Sequence, residues 1–211
     1  MRFHLIALAL TLLIGTLNTV NALTKPLPRP LSLLGIKNGS VVALRNNWPA
    51  AIQGGQGYLS LCNRCPKPTS QSATHTGGSK DNTWSQFKIE FVKKSKNGYQ
   101  LVRLKSIWGN SYLAVNKKRR DSRVVATFER TASNSRAKWW AMVVKKDGKQ
   151  YLALMSDYHK GHTVKLCETC WQSEGRRYLT ISEDAEDNWE SYHLYTVEPI
   201  TPKPKPKPKS K

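Results

Sequence analysis

Apolar and polar residues along this chain alternate over short runs, and there is little helical periodicity. Eleven runs read as strands: "VVALR" (41–45), "GYLSLC" (57–62), "FKIEFV" (87–92), "YQLVRLKSI" (99–107), "SYLAV" (111–115), "RVVATF" (123–128), "WWAMVV" (139–144), "QYLALM" (150–155), "TVKLC" (163–167), "RYLTIS" (177–182) and "SYHLYTV" (191–197). Several alternate with a period of two, the pattern of a strand with one face against a core. Asn97-Gly98 and Asp147-Gly148 fall between strand pairs, and such dipeptides favour the positive φ angles of tight hairpin turns. Many short strands with regular turn signals predict a closed all-β domain.

The runs repeat. Three segments, "NTWSQFKIEFV", "AKWWAMVVKK" and "DNWESYHLYTV", each carry a Trp with a large apolar residue three positions on. Leu61 lies 23 residues before Trp84, Val115 lies 24 before Trp139, and Leu166 lies 23 before Trp189. The strands "VVALR", "YQLVRLKS" and "QYLALMS" precede them in the same order. Three units follow, about 41–92, 99–144 and 150–197, each with about four strands and a Trp near the start of the last. Recurrence with the repeat places Trp84, Trp139 and Trp189 in the core. Over residues 35–200 this pattern resembles the β-trefoil superfamily. The "LR…GYL…WxxF" rhythm is similar to its fascin and fibroblast-growth-factor branches, and the Gln-x-Trp of the ricin-type branch is absent. The resemblance implies a β-trefoil of three four-stranded units with pseudo-threefold symmetry. It does not choose a function, because unrelated activities share the fold.

The ends have a different character. Residues 1–22 carry Arg2, an uncharged apolar run from Leu5 to Leu17, and small residues at Val20 and Ala22. This is the pattern of a secretory signal peptide. The run is shorter than the ~20 apolar residues of a spanning helix, and no later segment is apolar enough to span. The expectation is a secreted, extracellular chain. Residues 23–34 read as a Pro-rich leader, and 201–211 as a tail in which Pro alternates with Lys. Pro fixes φ and removes donors, so the tail is expected as an exposed polyproline II rod.

Charge changes the picture further. The chain carries a net +20. Loss of Arg2 leaves +19, and setting aside Lys25, Arg29 and the five tail lysines leaves +12 on residues 35–200. A charge this high favours polyanionic partners. Lys117, Lys118, Arg119, Arg120 and Arg123 form the densest basic run, and Lys203, Lys205, Lys207 and Lys209 stand along the tail. Arg pairs bidentately with sulfate, carboxylate or phosphate, and Lys adds point charge. Further basic groups occur at 93–96, 145–146, 159–162 and 176–177, with Trp108 and Trp171 as aromatics for stacking on sugars or bases.

Cys62-x-x-Cys65 and Cys167-x-x-Cys170 stand in units one and three, where unit two has Asn116 to Arg119. An even cysteine count in a secreted chain points to disulfides, with local 62–65 and 167–170 bonds the first expectation. Cross-links between the two pairs and a four-Cys zinc site are the alternatives. The trefoil resemblance implies that the three hairpin turns share one cap of the fold. A thioredoxin-like role is disfavoured, since that chemistry uses a helix N-terminus to lower the thiol pKa and no helix pattern follows either pair. Asn38-Gly39-Ser40 is a glycosylation sequon. His159 and His162 lack a third metal ligand at a telling spacing and read as an exposed loop. The acidic run "EDAEDNW" (183–189) reads as a solvated loop offsetting local charge. No catalytic constellation stands out, and no cofactor or metal is expected. The expected function is a monomeric secreted binding module for an acidic polysaccharide or other polyanion. The alternative is a secreted ligand, inhibitor or effector that recognises a cell-surface protein.

Overall fold

The computed structural model describes residues 29–47, 57–62, 72–76, 79–115, 124–130, 135–160, 162–166, 177–182 and 194–201. Twelve strands fall into three units of four: β1 (Val41–Asn46), β2 (Tyr58–Cys62), β3 (Ser72–Thr76) and β4 (Gln86–Lys94); β5 (Gln100–Ser106), β6 (Tyr112–Val115), β7 (Val124–Glu129) and β8 (Trp139–Lys146); β9 (Lys149–Ser156), β10 (Thr163–Leu166), β11 (Arg177–Ser182) and β12 (Tyr195–Pro199). The first and last strands of each unit form a six-membered antiparallel ring in which β1 meets β4, β4 meets β5, β5 meets β8, β8 meets β9, β9 meets β12, and β12 returns to β1. The two middle strands of each unit form a hairpin. These hairpins pair with one another through β3, β7 and β11 and cap one end of the barrel. A closed six-stranded barrel capped by three hairpins is a β-trefoil.

The register shows the threefold repeat residue by residue. Phe87 pairs with Ser106, Trp139 with Ser156 and Tyr195 with Asn46, and all six are at most 1% exposed. In the cap, Leu59, Leu113 and Val164 are equivalent, each following the residue that pairs back to the barrel, and each is fully buried. Leu61, Val115 and Leu166 are equivalent by the same count, as their sequence spacing predicted. Large apolar groups from all three units therefore meet in one core cluster, and burying each such side chain stabilises the fold by about 1.5–3 kcal/mol.

The tryptophan spacing marks the equivalent strand position only at Trp139. By register, the partner of Trp139 in unit one is Phe87, so Trp84 lies three positions early, in a 3-10 turn (Thr83–Ser85). Trp84 is half-buried where Trp139 is fully buried. The physical reason is the link between cap hairpin and last strand, which differs in length. Leu61 to Phe87 is 26 residues, Val115 to Trp139 is 24 and Leu166 to Tyr195 is 29, so a constant Trp spacing tracks the link and not the strand. Trp189 lies outside the described residues. The twelfth strand, β3, has the sequence SATHT, with no apolar alternation to reveal it.

Two inter-unit turns close the barrel's open end. Asp147 (φ 49°) and Gly148 (φ 74°) make the two-residue turn of β8 and β9, with Lys146 facing Lys149. The β4–β5 connection is longer. Gly98 (φ 86°) donates to Ser95 O, Ser95 N–H donates to Tyr99 O, and β4 bulges between Phe91 and Lys93. The last residues of the expected leader belong to the fold. Leu31–Leu34 form a 3-10 turn ended by left-handed Gly35, and this turn packs on β8 and β9. Leu31 and Ile36 enter the core cluster.

Candidate anion-binding face

The outer face of the β4–β5 ladder gathers basic and aromatic side chains. In β4, Phe87 and Ile89 point into the core, so Lys88 and Glu90 point out. In β5, Val102 and Leu104 point in, so Arg103 and Lys105 point out. The register then sets Lys88 opposite Lys105 and Glu90 opposite Arg103. Like charges directly opposite on one face destabilise a sheet, and the Tyr112 ring offsets this on the Lys105 side alone. Among the described residues neither lysine has an acidic partner. Lys105 Nζ sits 5.6 Å over the Tyr112 ring, Tyr112 Oη donates to Glu90 (3.3 Å), and Arg103 Nε is buried with no hydrogen-bond partner.

Aromatic rings and lysines flank this face. At one end Gln86 O accepts from Ile107 N–H, and Trp84 packs against Trp108 with ring centroids 5.2 Å apart and planes tilted 50°. Asn82 Oδ1 accepts from Trp84 N–H and caps its 3-10 turn. Trp108 is 41% exposed, so Trp84 backs a ring that remains open to solvent. At the other end Lys93, Lys94 and Lys96 are exposed around the β4–β5 turn, and Lys93 Nζ lies 5.7 Å from the Trp140 ring. Lys145 and Lys149 are exposed on the equivalent β8–β9 turn at the same end of the barrel. The acids of the described residues lie elsewhere or are engaged. Glu129 pairs with Arg136 (2.6 Å), and Glu198 pairs with Lys80 (3.8 Å). Glu198 also accepts from Tyr58 Oη (2.8 Å), and burial, then that bond, pushes the Tyr58 phenol up to about 12. Burial likewise raises Tyr195.

The residues singled out from the sequence divide accordingly. Lys117, Lys118, Arg119, Arg120 and Arg123 lie outside the described residues, between Val115 and Val124, which end β6 and start β7 in the cap. Lys203, Lys205, Lys207 and Lys209 also lie outside them, beyond Thr201. Cys65, Cys167 and Cys170 do too. Cys62 is the last residue of β2, its backbone opposite Ser72, so the sulfur chemistry rests on the sequence. The cap that the trefoil resemblance implied for these turns is present. Asn38 is exposed in a Lys37–Ser40 turn, and its Oδ1 accepts from Phe91 N–H (2.8 Å). His159 and His162 are half-buried with ring centroids 5.4 Å apart. Among the described residues no three His, Cys, Asp or Glu side chains are grouped to hold a metal ion. The Lys88–Lys105 opposition is the candidate feature that the sequence did not single out. Its signal is the strand register, which a linear reading of basic runs does not contain.

No protein-family model matches the chain, and no curated protein matches it. Solved structures do. A chain of the S. cerevisiae protein O-mannosyltransferase Pmt1-Pmt2 complex bound to the sugar donor aligns with TM-score 0.57 and 15% identity over 80% of this chain and 27% of that one. The SDF2-like protein from Arabidopsis thaliana aligns with TM-score 0.57 and 12% identity over 77% of this chain and 93% of its own. The Rhizoctonia solani agglutinin aligns with TM-score 0.51 and 12% identity over 78% and 98%. This chain thus spans about a quarter of the mannosyltransferase chain and nearly the whole of the other two. Identities this low speak to architecture alone, and with the ring of six strands and its three-hairpin cap they establish that the chain folds as a β-trefoil.

Proposed function

We propose that this chain is a secreted, basic β-trefoil that binds acidic glycans or related polyanions. The observation that carries the reading is the outer β4–β5 face. There Lys88 and Lys105 oppose each other without an acidic partner, Arg103 stands beside them, and Trp108 ends the stripe. A bound anion would relieve that repulsion. An anionic group seated between the two lysines turns a like-charge pair into two charge-assisted contacts, while an exposed indole offers an apolar face to a sugar ring. The signal-like N-terminus and the +12 body agree with an extracellular polyanion. Support also comes from the fold's company, since one structural neighbour is an agglutinin and another was solved with a sugar donor.

The test is binding of the mature protein, with and without residues 201–211, to a sulfated polysaccharide, a carboxylated one and a neutral one. The reading expects the tailless body to hold an acidic polysaccharide at physiological salt, and Lys88→Ala with Lys105→Ala to weaken it at least tenfold. Binding that disappears with the tail would reduce the charge to general stickiness and move the search to a protein receptor.

A further inference from the structure

Most large apolar side chains at repeat-equivalent positions are buried, as the phenylalanine, tryptophan and tyrosine of the barrel layer and the aliphatics of the cap are. One position breaks that rule. Two residues past Ser106 stands Trp108, 41% exposed, and two residues past Ser156 stands Tyr158, 45% exposed. Ser106 and Ser156 are themselves equivalent by register, each facing the buried aromatic of the neighbouring strand. Core packing does not select an aromatic that recurs with the fold's symmetry and faces water in both copies.

The turns that hold the two rings are built alike. The buried Ser106 hydroxyl accepts from Gly109 N–H (3.3 Å). The buried Ser156 hydroxyl accepts from Tyr158 N–H (3.2 Å) and His159 N–H (3.0 Å). Each ring has an aromatic against it: Trp84 beside Trp108, and the His159 ring at 4.8 Å, 86° to Tyr158. Each has a cation in the same stretch, Lys105 before Trp108 and exposed Lys160 after Tyr158. In unit one, Trp48 follows Asn46, the third member of the set, by the same two residues. It lies outside the described residues.

We propose that Tyr158 is a second stacking platform, equivalent to Trp108, for a sugar ring of the same acidic glycan. The inference rests on the glycan reading above. The two platforms sit one unit apart around the barrel axis, so one chain engages two glycan strands, or two arms of one. Gain from two linked sites comes through effective concentration, which raises avidity without new contacts. A short saccharide is therefore held weakly, and a dense polysaccharide tightly.

The experiment titrates a sulfated disaccharide into the 15N-labelled mature protein. The expected result is a shift of the Trp108 indole N–H together with the amides of 157–162. Tyr158→Ala abolishes the second set, keeps the first, and lowers retention on an immobilised sulfated polysaccharide by tenfold or more. Tyr158→Trp restores both. Because Tyr158 is exposed, an unchanged melting temperature for Tyr158→Ala separates lost stacking from lost fold. A response at Trp108 with a silent 157–162 turn overturns the second platform and leaves the glycan reading standing. No response at either place, with no retention on the polysaccharide, overturns both.

Discussion

Tyr58 and Lys88 show how single side chains load this fold in opposite directions. The Tyr58 phenol is buried and donates to Glu198, so the folded state favours its protonated form, with a pKa of about 12 against 10.0 unfolded. A raised folded pKa means full stabilisation below pH 10 and progressive loss as pH rises from 10 towards 12. Chemical denaturation across pH 9 to 12 should show that decline, and Tyr58→Phe should flatten this contribution while costing about 1–2 kcal/mol at neutral pH. Lys88 works the other way. Its side chain is exposed and faces Lys105, so Lys88→Glu converts a repulsive cross-strand pair into an attractive one. The expected outcome is a gain of about 0.2–1 kcal/mol in stability, read from the denaturation midpoint, with a fall in affinity for acidic polysaccharide. Both outcomes together would give Lys88 a reason to be there besides the fold.

At the scale of elements, alternation and turn chemistry made most strands legible. "YQLVRLKSI" and "QYLALM" announce β5 and β9 because short runs rich in aliphatic and aromatic residues follow closely on Asn97-Gly98 and Asp147-Gly148. Asp147-Gly148 announces its turn because both residues adopt positive φ. Gly148 has open space where a Cβ would stand, so the cost of Gly148→Ala is conformational, about 1 kcal/mol, measurable by thermal melting without change in the circular dichroism of the fold. What stayed illegible has equally physical causes. β3 is Ser, Ala, Thr, His and Thr, held by pairing to β2, β7 and β11 and not by its own pattern. The 3-10 turn at Leu31–Leu34 sits in a Pro-rich stretch that reads as extended, and its place follows from Leu31 and Ile36 finding the core. The candidate site was half visible. The basic runs and Trp108 show in the sequence, whereas the Lys88–Lys105 opposition appears only when two strands are set in register.

For the whole molecule, charge and closure have separate consequences. If binding runs through several exposed cations, affinity for a polyanion should fall steeply as salt rises past the concentration where the screening length shrinks to ~8 Å. A salt titration with and without residues 201–211 then apportions the effect between body and tail, and the body is expected to keep most of the slope. Closure acts on time instead of affinity. The barrel ring is sealed by β1 against β12, with Val42 opposite Pro199 and Asn46 opposite Tyr195, a pairing that spans nearly the whole domain. Long-range pairings of this kind form slowly. During synthesis β1 must wait, one edge unsatisfied, until the last strand leaves the ribosome. Nascent copies crowded on one message therefore share an unpaired edge that folded copies do not.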